Sequence, residues 1–419
     1  MDLRDDARMM SEWLTRLRRD VHREPEIGLH LPRTQEKVLV ALGGLPLKVT
    51  EGRALSSVTA VLEGTRPGPV VLLRADMDAL PVTEQASVDY RSRIDGRMHA
   101  CGHDLHTAML AGAAHLLAGR RDRWAGRIVL MFQPGEEGHD GARHMIEEGL
   151  LEAAGERPRA AYALHVSARH WPGGRFATRP GPLMAACDRL AVIVRGVGGH
   201  GSAPHHARNP IPAACAMISE LPGTLARAVD PLEPAALSVG AIHAGTAANV
   251  IPETARFEAT VRTFHQATGE RLAGELTRLC RSVAAAHGVE AEVRYLKEYP
   301  PTVAAPAESA FAADVTRELF GAERYEEMAQ PLTASEDFSR VLKEIPGTIV
   351  QLGASPPGRD HRHAPGNHSP HVEFDDAVLA DGAALYAALA LRRLTPAPPQ
   401  HRGERSANPL PTTEEGPAS

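Results

Sequence analysis

Four short, mainly apolar segments occur in the first and last parts of the chain, and the first two of them contain no polar residue. They lie at residues 70–73, 128–132, 161–166 and 348–352. Runs of this length without polar alternation are typical of strands buried on both faces of a parallel sheet. The Ala- and Leu-rich stretch 104–117 has helical length and lies between the first two runs, which predicts a βαβ unit. Helical stretches at 6–21 and 377–394 would cover the faces of the sheet, so the pattern predicts an α/β layer structure.

Residues 185–295 follow a different pattern. Strands are predicted at 190–195, 236–242, 255–264 and 290–295, and helices at 211–229 and 270–287. The order βαββαβ matches the ferredoxin-like split motif, so we expect a small α+β domain inserted into the larger α/β domain. The larger domain would then consist of residues 1–184 and 296–394, with the insertion at 185–295. Residues 395–419 are Pro-rich with few large apolar side chains, which predicts a disordered tail.

Composition and charge narrow the class of protein. Of the 419 residues, 43% are hydrophobic and 23% are charged, which is ordinary for a globular chain. A formal net charge of −6 without a long basic block argues against a nucleic-acid partner. The charged N-terminus leaves no room for a signal peptide, and the longest apolar run, at 383–391, is too short to span a bilayer. The four cysteines predict reduced thiols, so we expect a soluble, cytoplasmic protein.

Candidate metal ligands follow the ends of the predicted strands, where open α/β sheets bind their ligands. The chain has 21 histidines, and several lie beside Cys, Asp or Glu in short Gly-rich segments. The candidates at the strand ends and in the βα connection are Asp76, Asp78, Cys101, His103, Asp104, Glu136, Glu137, His165, His361, His363 and His368. A thiolate combined with imidazole favours Zn, Mn, Co or Ni over Ca or Mg. The strand ends therefore predict one shared metal site.

The adjacent residues Glu136 and Glu137 follow the second predicted strand. Two carboxylates at the end of a buried strand are costly unless a cation or a proton compensates, which favours a metal on one Glu and a raised pKa on the other. In a hydrolytic site one carboxylate holds the ion, while the other takes a proton from activated water and delivers it to the leaving amine. The alternative for this pair is a solvated turn, and for Cys101 and His103 it is a buried thiol beside a helix cap.

Two further carboxylates and a Gly-rich loop complete the candidate set. Asp76 and Asp78 share a face if the strand continues, so one could orient a metal-bound His; a helix cap or a turn is the alternative. The loop 196–205 contains two His but no nucleotide-binding pattern. Its glycines would let the backbone approach a substrate, unless the loop is a plain flexible turn. Asn249 and Arg262, near the ends of neighbouring predicted strands, could bind a carbonyl and a carboxylate.

Taken together, these segments resemble one known family. The motifs that carry the resemblance, in chain order, are RADMDALP, MHACGHDLHTAML, IVLMFQPGEEG, ALHV, GPLMAACD, GGHGSAPH, SVGAIHAGTAANVIP, VRTF, SEDFS and NHSP. Over about residues 22–376 the chain resembles the amidohydrolase branch of the M20 metallopeptidase family, which includes N-acyl-amino-acid amidohydrolases, hippurate hydrolases and plant auxin-conjugate hydrolases. The resemblance implies an α/β fold: a mixed-sheet, zinc-peptidase-like catalytic domain with an inserted α+β ferredoxin-like lid and dimerisation domain.

The resemblance also implies roles for individual residues. The implied ligands of two divalent ions, with Cys101 bridging the pair, are Cys101, His103, Glu137, His165 and His368. Glu136 would be the general base, and Asp78 matches the acid that orients a metal-site group. Asp76 stands where other branches of the family have a metal-binding His, a departure that accompanies the Cys-Gly-His ligand set. His200, reaching in from the lid of a partner subunit, would polarise the scissile carbonyl.

The function implied is metal-dependent hydrolysis of the amide bond of N-acyl or N-aroyl amino acids by a metal-activated water. The ions would be Mn, Zn, Co or Ni, and Asn249 and Arg262 would bind the small-molecule substrate. We expect a homodimer or higher homo-oligomer, with no nucleic-acid or membrane partner. The alternatives are a dipeptidase or other deacylase of the same family, a thiol hydrolase in which Cys101 is the nucleophile, and an inactive binding homologue.

Overall fold

The computed structural model describes residues 2–395, in which there are ten α-helices and sixteen β-strands. The helices are α1 Leu3–Met9, α2 Ser11–Arg23, α3 Pro32–Ala41, α4 His103–Ala118, α5 Gly141–Glu147, α6 Pro210–Ala228, α7 Gln266–Ala286, α8 Pro306–Phe320, α9 Ser339–Glu344 and α10 Val378–Leu394. The strands are β1 Leu47–Glu51, β2 Val58–Glu63, β3 Arg66–Asp76, β4 Ala125–Gln133, β5 Ala160–Ser167, β6 Phe176–Thr178, β7 Gly181–Met184, β8 Cys187–Arg195, β9 Gly199–His200, β10 Ala235–Ala244, β11 Val250–Ile251, β12 Thr254–Thr263, β13 Glu290–Tyr299, β14 Thr302–Ala304, β15 Tyr325–Glu327 and β16 Gly347–Gly353. None of the helices within residues 2–395 combines the length and the apolar character needed to cross a membrane. The predicted disordered tail lies, from residue 396 onward, outside the described residues.

Eight strands form one mixed sheet in the order β1-β2-β4-β3-β5-β16-β6-β15. Its centre is parallel, because β3 pairs in parallel with β4 and with β5, and β5 pairs in parallel with β16. β2 pairs in antiparallel fashion with β1 on one side and with β4 on the other. Since α4 connects β3 to β4, the predicted βαβ unit is confirmed. The carboxyl ends of the four parallel strands therefore meet at one edge of the sheet.

The central strands are buried on both faces, as their continuous apolar runs predict. In β3, Val71 and Leu73 belong to one hydrophobic cluster, whereas Val70 and Leu72 belong to a second. Successive side chains of a strand point to opposite faces, so each face of the sheet has its own core. The first core includes residues of α4, α8 and α10, and the second includes residues of α5 and α9.

One predicted helix is two helices in the structure. A single helix is predicted at 6–21, whereas the chain forms α1 and α2 with a break at Met10. The backbone N–H of Met10 turns back to the carbonyls of Ala7 and Arg8, which ends α1. Both helices pack on α4 and α10, and these in turn lie on the sheet. The N-terminal segment is therefore an outer helical layer.

A second sheet of four strands forms within residues 187–299. Its order is β10-β12-β8-β13 with antiparallel pairing throughout, and α6 and α7 pack on it. The predicted βαββαβ order is thus confirmed, and the sheet has its own hydrophobic cluster around Leu190, Phe257 and Leu276. The last strand continues to Tyr299, beyond the predicted end at Tyr295. The paired strands β7 and β14 flank the two chain connections to this sheet.

Candidate active site

The carboxyl ends of the parallel strands open onto a cavity of about 1120 Å³. β3 ends at Asp76, β4 leads into Glu136 and Glu137, and β5 carries His165. The candidate ligands that line the cavity are Cys101, Glu136, Glu137, His165 and His368. The topology of the sheet produces this convergence, because parallel strands deliver their following loops to the same edge.

Cys101, His103 and His165 bring a thiol and two imidazoles together. One donor atom from each lies within 4.8 Å of the other two, and Cys101 Sγ is 3.7 Å from His165 Nε2. His103 Nδ1 donates to the backbone carbonyl of Asp78 and His165 Nδ1 to that of Val166, both at 2.9 Å. A carbonyl accepts only from a protonated nitrogen, so Nδ1 carries a proton in both rings and Nε2 is the nitrogen left to face a metal. This is the tautomer that a metal-binding imidazole needs.

The two glutamates and His368 extend this cluster. Overlapping groups with the same spacing are Cys101, Glu137 and His368, and His103, Glu136 and Glu137. His368 Nε2 lies 3.1 Å from Glu137 Oε1. The backbone of His368 is left-handed, with a φ of 70°, and its N–H donates to the carbonyl of Ala100 at 2.8 Å. The loop after β16 thus returns to the Cys101 segment, and the five predicted ligands lie together.

Asp78 supports the two glutamates through their backbone. Its two carboxylate oxygens accept hydrogen bonds from the amides of Glu136 and Glu137, each at 3.0 Å. Asp78 Oδ1 also lies 3.5 Å from His103 Nδ1, and the side chain is buried. Asp78 therefore connects the loop after β4 to the first turn of α4.

The charges of the cluster fit a divalent cation. Although burial opposes ionisation, the imidazoles of His165 and His103 hold the pKa of the Cys101 thiol well below its usual range. Burial, together with the carboxylates of Glu336 and Glu137, raises the pKa of Glu136 well above its usual range. His103 Nε2 is buried without a hydrogen-bond partner. A thiol sulfur, close carboxylates and an imidazole nitrogen without a hydrogen-bond partner are the donor set of a transition-metal site.

The carboxylate of Asp76 hydrogen-bonds to neighbouring side chains and does not line the cavity. Its Oδ1 accepts from His106 Nδ1 at 2.5 Å, and its Oδ2 accepts from Arg74 at 2.7 Å. His106 Nε2 in turn accepts from the amide of Val166 at 2.8 Å. Both nitrogens of His106 are therefore used within the protein. His106 was not predicted from the sequence as a site residue, and it locks Asp76 in place behind the cluster.

Three candidate ligands from the strand ends lie elsewhere. Asp104 points into the interior, where it accepts from His22 Nδ1 at 2.7 Å. His361 and His363 belong to a short turn in which Asp360 caps the backbone, and His363 is exposed. Within residues 2–395, the groups with metal-ligand spacing include none of these three.

The residues predicted from the insertion divide between the cavity and the surface. His200 and Asn249 are exposed, neighbour each other around the short β9–β11 pair, and do not line the cavity. Arg262 lines the cavity, and its guanidinium donates to Ser335 Oγ at 3.1 Å. Among the described residues Arg262 forms no ion pair. The expected action of His200 from a partner subunit stays a prediction.

Several residues around the site carried no predicted role. Asn367 Nδ2 donates to the carbonyls of Cys101 and Val166 at 3.2 and 3.0 Å, which ties the His368 loop to the cluster. Glu336 and Asp337 each offer an oxygen within 4.8 Å of the Glu136 carboxylate. The motifs NHSP and SEDFS contain these three residues. The motifs therefore marked them in the sequence, but no local pattern indicated what each residue does.

Comparisons with known proteins extend over nearly the whole chain. Residues 72–392 match the sequence model described as Peptidase family M20/M25/M40. Thermostable carboxypeptidase 1 from Saccharolobus solfataricus is 36% identical over 394 residues, covering 93% of this chain and 98% of that protein. N-acetylcysteine deacetylase from Bacillus subtilis is 34% identical over 379 residues, covering 90% and 96%. The crystal structure of the Bacillus subtilis YXEP protein, described as a dinuclear metal binding peptidase from the M20 family, matches with a TM-score of 0.79 at 30% identity, covering 92% of this chain and 99% of that one.

Proposed function

From its membership of peptidase family M20/M25/M40, in the amidohydrolase branch, we propose that the chain is a metal-dependent amidohydrolase of N-acyl or N-aroyl amino acids. The family membership itself makes the chain a hydrolase of amide bonds. The observation that carries the proposal is the cluster of a thiol, imidazoles and carboxylates at one cavity. A cavity of about 1120 Å³ lies just above the range of about 300–1,000 Å³ that is typical of small-molecule sites. A single acylated amino acid, rather than a folded protein, is the substrate that suits it.

In this proposal two divalent ions, Mn, Zn, Co or Ni, occupy the cluster. Their ligands are Cys101, His103, Glu137, His165 and His368. When bound, the ions supply Lewis acidity, which lowers the pKa of a water molecule and polarises the amide carbonyl. The unpartnered Nε2 of His103 supports this assignment, as does the description of the YXEP protein as dinuclear.

Glu136 is the general base of the proposed reaction. Its carboxylate takes a proton from the attacking water and then delivers it to the nitrogen of the leaving amine. Asp78 fixes the position of this carboxylate relative to the metal ligands, because its two oxygens accept from the backbone amides of Glu136 and Glu137. The buried position of Glu136 beside the cavity limits the access of bulk water to its carboxylate.

Substrate recognition uses the insertion. Arg262 binds the carboxylate of the amino acid, and the absence of an ion-pair partner for its guanidinium among residues 2–395 supports this role. His200 and Asn249 act on the acyl carbonyl from a second copy of the chain, since both are exposed and outside the cavity of their own chain. The active form is therefore a homodimer or a higher homo-oligomer.

The first experiment measures amine release from N-acetyl, N-benzoyl and longer N-acyl amino acids and from dipeptides. Each assay is run on the untreated protein, after chelation, and after Mn or Zn is added back. Activity on acyl amino acids that is lost and restored is the expected result. Preferential cleavage of dipeptides would select the peptidase alternative, which the identity to a carboxypeptidase favours. Activity that survives chelation but is lost on alkylation would select the thiol hydrolase.

Two neighbouring variants separate base from ligand. Glu136→Gln should retain bound metal and lose turnover by at least about 10²-fold, because general acid–base catalysis is worth that much. Glu137→Gln, the matched control, should lose bound metal as well. Wild-type turnover in Glu136→Gln would remove Glu136 from the proton transfers.

A further inference from the structure

The loop that joins β4 to α5, residues 134–140, carries both Glu136 and Glu137 and is tightly bent. Gly135, Gly138 and Asp140 adopt left-handed backbone conformations, with φ of 74°, 80° and 55°. A non-glycine residue in this region is uncommon and is held there by its surroundings. The orientation of the two glutamates therefore depends on what fixes this loop.

The peptide that links Glu136 to Glu137 is held at both of its polar groups. Its N–H, which belongs to Glu137, donates to Asp78 Oδ2 at 3.0 Å. Its carbonyl, which belongs to Glu136, accepts from the hydroxyl of Tyr299 at 2.7 Å and from the backbone N–H of Gly138 at 2.8 Å. Rotation of this peptide would turn the two neighbouring carboxylates relative to each other. Hydrogen bonds on both sides of the peptide oppose that rotation, and the one from Tyr299 is the only one of them that comes from outside the loop and the Asp78 segment.

Tyr299 reaches the loop from the four-stranded sheet. It is the last residue of β13, its side chain is 7% exposed, and its hydroxyl also accepts from the amide of Asp140 at 3.2 Å. Arg340 in α9 braces the same arrangement: it donates to both carboxylate oxygens of Asp140 at 3.0 and 2.8 Å, and to the carbonyl of Glu298 at 2.6 Å. The hydroxyl of Tyr299 thus contacts the loop at two places, the peptide between Glu136 and Glu137 and the last loop residue, Asp140.

We propose that Tyr299 is a positioning residue for the reaction: by holding the Glu136 carbonyl and the Asp140 amide, it sets the angle between the base carboxylate and the ligand carboxylate. The inference rests on the proposed role of Glu136 as base. It gives β13, the last strand of the insertion, an indirect part in proton transfer. Tyr299 would act through Glu136 and would not need to touch substrate or metal. The strand β13 and the catalytic loop then act as one mechanical unit.

The test compares Tyr299→Phe with Tyr295→Phe. Tyr295 lies on the same strand, and its hydroxyl donates to Asp188 Oδ2 at 2.9 Å, away from the loop. Each variant loses one hydroxyl, which makes two hydrogen bonds at Tyr299 and one at Tyr295, but only the first change removes a donor to the peptide between the glutamates. For Tyr299→Phe we expect kcat to fall about tenfold, with KM changed less than about twofold and bound metal unchanged. For Tyr295→Phe we expect kcat within about twofold of the wild type.

Amide hydrogen exchange supplies a readout that does not depend on turnover. The amide of Asp140 should exchange faster in Tyr299→Phe than in the wild type or in Tyr295→Phe, because its acceptor is gone. Wild-type kcat in Tyr299→Phe would overturn the inference, as would a fall in kcat accompanied by loss of metal or a lower melting temperature. If the wild type cleaves none of the substrates, the proposed function fails, and unchanged exchange at Asp140 would then overturn the inference separately.

Discussion

Arg74 is a buried cation that holds three carboxylates together behind the cavity. Its guanidinium lies 2.7 Å from Asp76, 2.8 Å from Glu336 and 3.1 Å from Asp337, and its side chain is 1% exposed. These carboxylates come from the end of β3 and from the loop before α9. Removal of Arg74 would leave them buried without compensation, which is far more costly than loss of an ion pair in solvent.

We predict that Arg74→Met lowers the free energy of unfolding by about 3–5 kcal/mol. The control is Arg16→Met, because Arg16 pairs with Glu12 at 3.3 Å on the exposed side of α2. That change should cost less than about 0.5 kcal/mol. Denaturant titration of both variants checks the prediction, and similar small losses would contradict it.

Gly102, between Cys101 and His103, combines a left-handed backbone with a tight contact. Its φ is 86°, and a Cβ there would lie 2.3 Å from Val166 Cγ2. We predict that Gly102→Ala displaces the two flanking ligands and lowers the metal content per chain. Gly96→Ala is the control, since Gly96 has a φ of 71° but no atom within 4 Å of the added Cβ. Both variants lose about 1 kcal/mol to backbone strain, so elemental analysis should separate them. Equal metal content would argue against the steric effect.

The strands and helices that the sequence predicts are those with a long, uniform pattern. The parallel core of the large sheet was predicted from runs such as residues 70–73, which have no polar position. A strand that is buried on both faces needs apolar residues at every position, so such a run indicates it directly. The three-residue strands β6, β14 and β15 were missed, since three residues cannot display a period. The break at Met10 has no Gly or Pro to mark it.

The site shows the same division. The clustering of four residues could be predicted, namely Cys101, His103, Glu136 and Glu137. Each follows a predicted parallel strand, and the loops after such strands lie at one edge of the sheet. Contacts that join distant segments could not: Arg74 and Glu336 are 262 positions apart, and Tyr299 and Glu136 are 163 apart. Such contacts follow from tertiary packing, which a local pattern does not encode.

The core of the four-stranded sheet consists only of residues from β8 to β13 and their helices. We predict that Phe257→Ala, which empties a 1% exposed position in β12, destabilises this sheet by about 3–5 kcal/mol. Hydrogen exchange should rise across residues 187–299 and remain low in β3, β4 and β5, as the predicted domain organisation requires. Ile242→Ala, at a 48% exposed position in β10, is the control and should change little. A uniform rise over both sheets would contradict separate folding of the insertion.

Across the whole molecule, the net charge of −6 is less informative than where the negative charges are concentrated. The cavity gathers a thiolate and several carboxylates, so a bound cation stabilises the folded chain by mass action. We predict that chelation lowers the melting temperature by about 5–10 °C and that Mn or Zn restores it, saturating at two ions per chain. Calorimetry with metal titration checks this. A melting temperature that is indifferent to chelation and to added metal would contradict a metal site in the cluster.

The proposed ligands are spread along the chain from Cys101 to His368, and the last of them is delivered by the loop that hydrogen-bonds back to Ala100. During synthesis the ribosome releases Cys101, His103, Glu137 and His165 long before His368. A nascent chain therefore carries most of a metal site for much of its translation without being able to close it. If His368 is the final ligand, as proposed, we expect tight binding of both ions only in the finished chain, and a protein truncated before that loop should stay metal-poor even in a metal-replete cell.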